Sequence, residues 1–158
     1  MCPRHYIKDT EGYMDAGLFR KLVDEVTQER PDAILLPFWR GESCMHPDFA
    51  ALIDYALSRE VRVHLSTNGH FMTPAFMDVF YRCEFLTFSV HSKVGFQNAQ
   101  KFIDNRPEGG KVTTQISFVD SEKTTQLYLP GCVGDPQLKG FHGVRLYVEH
   151  TLGGEFGK

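Results

Sequence analysis

The chain has 158 residues, near the commonest domain size, and with 42% hydrophobic residues and 13 phenylalanines it has the material for one well-formed core. A net charge of −3 with both signs interspersed excludes the electrostatic footprint of a nucleic-acid-binding or anionic-membrane-binding protein. No run approaches the ~20 apolar residues of a spanning helix, and the N-terminus lacks the regions of a signal peptide, so the expectation is a cytoplasmic protein.

The apolar residues at 18, 19, 22, 23 and 26 predict a first helix over 15–29, with Asp15 as its N-cap and Met14 and Phe19 placed as a hydrophobic staple. The run Ala33-Ile34-Leu35-Leu36 predicts a short strand buried on both faces. A second helix follows, with Pro47 at its first position and an apolar stripe of Phe49, Leu52, Ile53, Ala56 and Leu57. Val61 to Leu65 reads as a strand closed by the turn residues Asn68-Gly69, and Thr73-Pro74 opens a third helix that buries Phe76, Met77 and Phe80. Then come a strand at 85–90, a helix at 94–105, a strand at 112–119, a helix candidate at 121–129 and a last strand at 143–148. The Gly-rich tail 151–158 has no partner of its own.

Strands alternating with helices at this spacing imply right-handed crossovers and an α/β fold with a parallel sheet of five strands. No linker or repeat divides the chain, which reads as one domain over 1–158. Loops at the carboxyl ends of such strands form the functional rim.

The four cysteines, Cys2, Cys44, Cys83 and Cys132, are scattered, and read as buried small hydrophobes or metal ligands rather than disulfides. Cys2, Cys44 and His46 lack the second couplet that a structural zinc site requires. No phosphate-binding glycine loop, nucleophile elbow or His-Glu-x2-His appears, which removes common enzyme classes. Ser66, Thr67 and Asn68 fall at the sheet's carboxyl edge, where hydroxyls and an amide can hydrogen-bond a polar ligand, and Gly69 supplies a turn able to take positive φ. Gly41-Glu42 alone reads as an ordinary strand-to-helix turn. Ser117, Asp120, Arg145, Glu149 and His150 end later strands, and their spacing carries no specific chemistry.

The order Cys2-Pro3-Arg4, then Arg40-Gly41-Glu42 with Ser43-Cys44-Met45-His46-Pro47-Asp48-Phe49, then Ser66-Thr67-Asn68-Gly69, resembles the core of the radical S-adenosylmethionine superfamily over roughly residues 2–150. The family signature, Cys-x3-Cys-x2-Cys, holds a [4Fe–4S] cluster through three thiolates while S-adenosylmethionine takes the fourth iron. Only the third cysteine, Cys2, matches. Arg40-Gly41-Glu42 stands where the family has Gly-Gly-Glu, a motif whose backbone and carboxylate accept from the cofactor's ammonium. Arg40 is a departure from it. Phe88-Ser89-Val90 resembles the strand whose end contacts the cofactor's ribose or carboxylate, with His91 and Ser92 replacing the usual Asp and Gly.

The resemblance implies a partial (β/α) barrel, an open curved parallel sheet with helices on its outer face. It implies binding of S-adenosylmethionine by Gly41, Glu42, Ser66, Thr67, Asn68 and Ser89, with Cys2 as the metal ligand. The family's reaction is reductive cleavage of S-adenosylmethionine at the cluster to give a 5′-deoxyadenosyl radical that abstracts hydrogen. With one signature cysteine, the chain is expected to be cluster-deficient and inactive alone. It is expected to be truncated within the cluster loop and, at Gly153-Gly154-Glu155-Phe156-Gly157, before an auxiliary-cluster (SPASM-like) region. The catalytic residues and the substrate stay open. The alternative is a non-catalytic α/β interaction or oligomerising module with at most weak nucleoside binding. Open sheet edges imply self-association, and the inner face is expected to expose Leu35, Val63, Phe88 and Ile116 or their strand neighbours.

Overall fold

A computed structural model describes residues 12–38, 41–120 and 138–148. The elements are α1 (Ala16–Glu29), β1 (Ile34–Leu35), a 3-10 turn (Ser43–Met45), α2 (Phe49–Ser58), β2 (Arg62–Thr67), α3 (Pro74–Arg82), β3 (Phe85–Val90), α4 (Lys93–Asp104), β4 (Thr113–Asp120) and β5 (Gly143–Val148). Among the described residues no helix is long and apolar enough to cross a membrane. The helix expected at 121–129 and the tail 151–158 lie outside the described residues.

Local chemistry sets the helix starts. Asp15 accepts a hydrogen bond from the Leu18 N–H at 2.9 Å, Thr73 caps α3 with Pro74 at its first turn, and the Ser92 hydroxyl accepts from the Gly95 N–H at 3.1 Å. α2 departs from the sequence reading: its N-cap is Asp48, so Pro47 precedes the helix, and the His46 ring takes the Asp48 N–H at 3.0 Å.

All strand pairs are parallel, and the strand order is β1-β2-β3-β4-β5. A doubly wound sheet reverses its order at a switch point. This one never reverses, so right-handed crossovers stack the helices on one side, as in an arc of a (β/α) barrel. β1 is only two residues long and forms an edge of the described sheet. It is not buried on both faces as its apolar run implied: Leu35 packs against the core, whereas Ile34, which points to the other face, is 38% exposed.

The two faces of the sheet differ in kind. Val63, Leu65 and Thr67 of β2, Leu86, Phe88 and Val90 of β3, and Thr114, Ile116 and Phe118 of β4 point under the helices and are buried. Their neighbours of opposite parity, Arg62, His64 and Ser66, then Phe85, Thr87 and Ser89, then Thr113, Gln115 and Ser117, share the other face. Of the two sets expected on the inner face, it is therefore the strand neighbours that line it and not Val63, Phe88 and Ile116. These three are 0% exposed beneath α2, α3 and α4, Leu35 packs against the same core, and the concave face is mostly polar. Aromatic rings fill the covered side: Tyr81 stacks on Phe102 at 4.2 Å, and Phe102 meets Phe80 and Phe88 at 6.3 and 5.4 Å.

Candidate cofactor-binding rim

The rim at the carboxyl ends of β1 to β3 gathers the predicted residues. Gly41 has φ +101°, a backbone state that side chains disfavour, so the turn after β1 is made for glycine. Glu42 then caps the 3-10 turn through the Cys44 N–H at 3.3 Å. Its carboxylate also reaches across to the end of β2. One oxygen accepts from the Thr67 hydroxyl at 2.9 Å and the other from the Asn68 N–H at 2.7 Å.

Thr67 belongs to β2 rather than to the turn, and it is 2% exposed. Its hydroxyl is saturated: it donates to Glu42 and accepts from the Gly69 N–H at 3.2 Å and the Cys44 thiol at 3.6 Å. The Glu42 carboxylate is not saturated. It offers about four lone-pair positions, three of which are filled, and among the described residues it makes no ion pair. A half-buried carboxylate without a cation is an incomplete arrangement that an ammonium group would complete.

Residues outside the sequence prediction hold this loop in place. The Asn98 amide of α4 donates to the Gly69 carbonyl at 2.8 Å, and the His70 ring meets the Ser92 hydroxyl at 2.6 Å. A Cβ on Gly95 would collide with the Asn68 carbonyl oxygen, so α4 and the loop touch backbone to backbone. The sequence signal for this lock was the capping serine at the start of α4.

Ser66 and Ser89 face the concave side, with Oγ atoms 3.2 Å apart, and the chain continues from Ser89 to Ser117 at 3.3 Å. Ser117 donates to the Phe88 carbonyl at 3.4 Å, and each hydroxyl has one proton, so the chain runs Ser66 to Ser89 to Ser117 and leaves Ser66 open as an acceptor. These distances exceed the usual 2.5–3.0 Å range for O–H···O bonds, so the half-buried Ser66 and Ser89 hydroxyls are free to redirect to a ligand, whereas Ser117 is 2% exposed and stays inside. Ser117 joins the two predicted serines through register, which places it opposite Ser89.

The described thiols do not suit an iron–sulfur cluster. Burial, reinforced by the Glu42 charge, raises the Cys44 pKa well above the ordinary thiol value, and burial pushes Cys83 up to about 12, so both stay protonated. Among the described residues no group of three His, Cys, Asp or Glu side chains could hold a metal ion. Cys2 and Cys132 lie outside the described residues.

The arc resembles SuiB of Streptococcus suis. Its structure with the precursor peptide SuiA matches with a TM-score of 0.56 at 11% identity over 80% of this chain, and its structure with S-adenosylmethionine with 0.55 at 13% over 75%. A third SuiB structure gives 0.53 at 11%. The chain spans about three-tenths of the length of SuiB, 31% and 30% in the first two comparisons. No protein-family model and no curated protein matches the chain. At these identities the likeness speaks to the fold.

Proposed function

We propose that this chain is a cytoplasmic S-adenosylmethionine-binding arc of the radical S-adenosylmethionine type. The observation that carries the reading is the Glu42 carboxylate, clasped to Thr67 and Asn68 on the rim with an acceptor position open and no cationic partner among the described residues. Glu42 and the Gly41 backbone would take the ammonium of the cofactor's amino acid. Ser66 and Ser89, linked on the concave face, would take its ribose hydroxyls, with the open Ser66 acceptor receiving a proton. The motif order supports this reading, and so does the fold shared with a protein whose structure contains S-adenosylmethionine.

When bound, S-adenosylmethionine supplies a sulfonium that superfamily members cleave reductively at a [4Fe–4S] cluster. The described residues do not fit that cluster, so we propose that the chain alone binds the cofactor without cleaving it. Anaerobic reconstitution with iron and sulfide is expected to leave it without stoichiometric cluster. A charge-transfer band that disappears in Cys2→Ala would overturn this.

Without an iron anchor, affinity for S-adenosylmethionine is expected on the order of 0.1–1 mM. Gly41→Val, which places a branched side chain at positive φ, is expected to abolish binding in a calorimetric titration, and Glu42→Gln to weaken it by removing the charge. Unchanged affinity in both variants would remove this loop from the site.

A second reading, an interaction or oligomerising module, is favoured by one observation. A cleft of about 810 Å³ between α1 and the edge strand β1 is lined by Phe19, Leu22, Leu36, Phe38 and Met45, and Leu22, Leu36 and Met45 are each more than 40% exposed. With the β1 edge, which no described strand pairs, beside it, this surface supports self-association. Light scattering at tens of micromolar tests the reading, and a clean monomer would remove it.

A further inference from the structure

The concave face carries a second feature, three strands away from Glu42. Register aligns Ser89 of β3 with Ser117 of β4 and Ser117 with Arg145 of β5, so the hydroxyl row ends at a guanidinium. Arg145 and Tyr147 share this face, because alternate residues of a strand point the same way. Arg145 is exposed, donates to the Tyr147 hydroxyl at 3.2 Å, and lies 5.9 Å from the centre of the Tyr147 ring.

Its electrostatics distinguish it from most arginines here. Arg30, Arg59, Arg62 and Arg82 each pair with a carboxylate, whereas Arg145 makes no ion pair among the described residues. The described residues of the upper concave face, Ser66, Thr87, Ser89, Gln115, Ser117, Arg145 and Tyr147, include no acid. Glu84, at the opposite end of the strands, is held by Arg62 and His64. Among the described residues this positive charge is flanked by hydroxyl and amide groups alone, and one guanidinium balances one negative charge.

We propose that Arg145, with the hydroxyl of Tyr147, binds a carboxylate of a second ligand, a peptide or amino acid that meets the cofactor on the concave face. Naming that ligand a substrate rests on the reading given under Proposed function. The site is not the anchor for the cofactor's own carboxylate. In an α-amino acid the ammonium and the carboxylate share one carbon, whereas β2 and β5 are separated by three strand spacings, roughly 14 Å. A ligand whose ammonium rests on Glu42 thus cannot place its carboxylate at Arg145. A planar monoanionic carboxylate also suits a single two-pronged guanidinium better than a phosphate near charge −2, which would keep excess charge.

The test is a titration of the full chain, followed by backbone amide NMR, with a capped peptide containing one glutamate, its glutamine counterpart and inorganic phosphate. The glutamate peptide is expected to shift the amides of 145–147 and the glutamine peptide to leave them in place. Arg145→Gln, an exposed substitution, is expected to weaken the glutamate peptide by roughly tenfold or more, with Arg145→Lys intermediate because it keeps the charge and loses the fork. Equal binding of the two peptides, tighter binding of phosphate, or unchanged affinity in Arg145→Gln would overturn the proposal. S-adenosylmethionine titrated into the same samples separates the two readings. Loss of cofactor binding alongside Arg145-dependent peptide binding would remove the cofactor and leave the carboxylate site standing.

Discussion

Phe88 and Ser89 are adjacent in β3, and they belong to different worlds. Phe88 points under the helices and is completely buried against Phe102 and Phe141, whereas Ser89 points into the concavity and touches two other serines at more than 3 Å. The same contrast runs through β2 and β4. A parallel sheet covered on both faces reads as continuous apolar runs, but here apolar and polar residues alternate. The comparison teaches that the apolar core lies on the covered face and that the concave face is mostly polar.

The largest test of that division is Phe88→Ala, expected to cost about 3–5 kcal/mol in denaturant unfolding through lost burial and a residual cavity. A cost below about 1 kcal/mol would mean that this face is not the core. Gly95→Ala comes next, since its Cβ would push against the Asn68 carbonyl oxygen. The expected cost is about 1–3 kcal/mol, together with weaker S-adenosylmethionine binding as the loop that holds Glu42 shifts. Loss of stability with intact binding would separate the α4 lock from the rim.

The thiols beneath the covered face provide a pH test. Their folded pKa values are raised above the ordinary value of 9.0, so the folded state keeps protons that the unfolded chain releases. Their stabilisation is fully present below pH 9 and is lost as pH rises from there towards 12, on the order of 1 kcal/mol per pH unit for each thiol. Cys83→Ala is expected to reduce that slope, and an unchanged slope would place the thiol in contact with water.

Ser89→Ala, one residue from Phe88, is expected to cost no more than about 1 kcal/mol, because it removes only long hydrogen bonds on an open face. A larger loss would make the serine row a structural feature. Smallest of all is the surface pair at the foot of β2. The Arg62 hydrogen bonds, with help from His64, hold the Glu84 pKa below its usual 4.5. Its contribution is present above that value and fades as pH falls through the lowered one, and Arg62→Ala is expected to flatten that acid limb with little change at neutral pH.

Helix stripes, capping residues and strand positions were legible in the chain because each depends on neighbours a few residues away. Asp15 and Thr73 cap helices by their own side chains, and β3 and β5 follow from their local pattern. The motif residues on the rim were equally legible as a set. Which face of each strand is covered was not. The apolar runs at Leu35 and Val63 look alike to an inner or an outer surface, and only the one-sided winding of the crossovers put them beneath helices. The Glu42 clasp joins positions 25 and 26 residues apart, and the serine row joins positions more than 20 apart. Contacts at such separation are set by strand register, and register comes from the packed sheet.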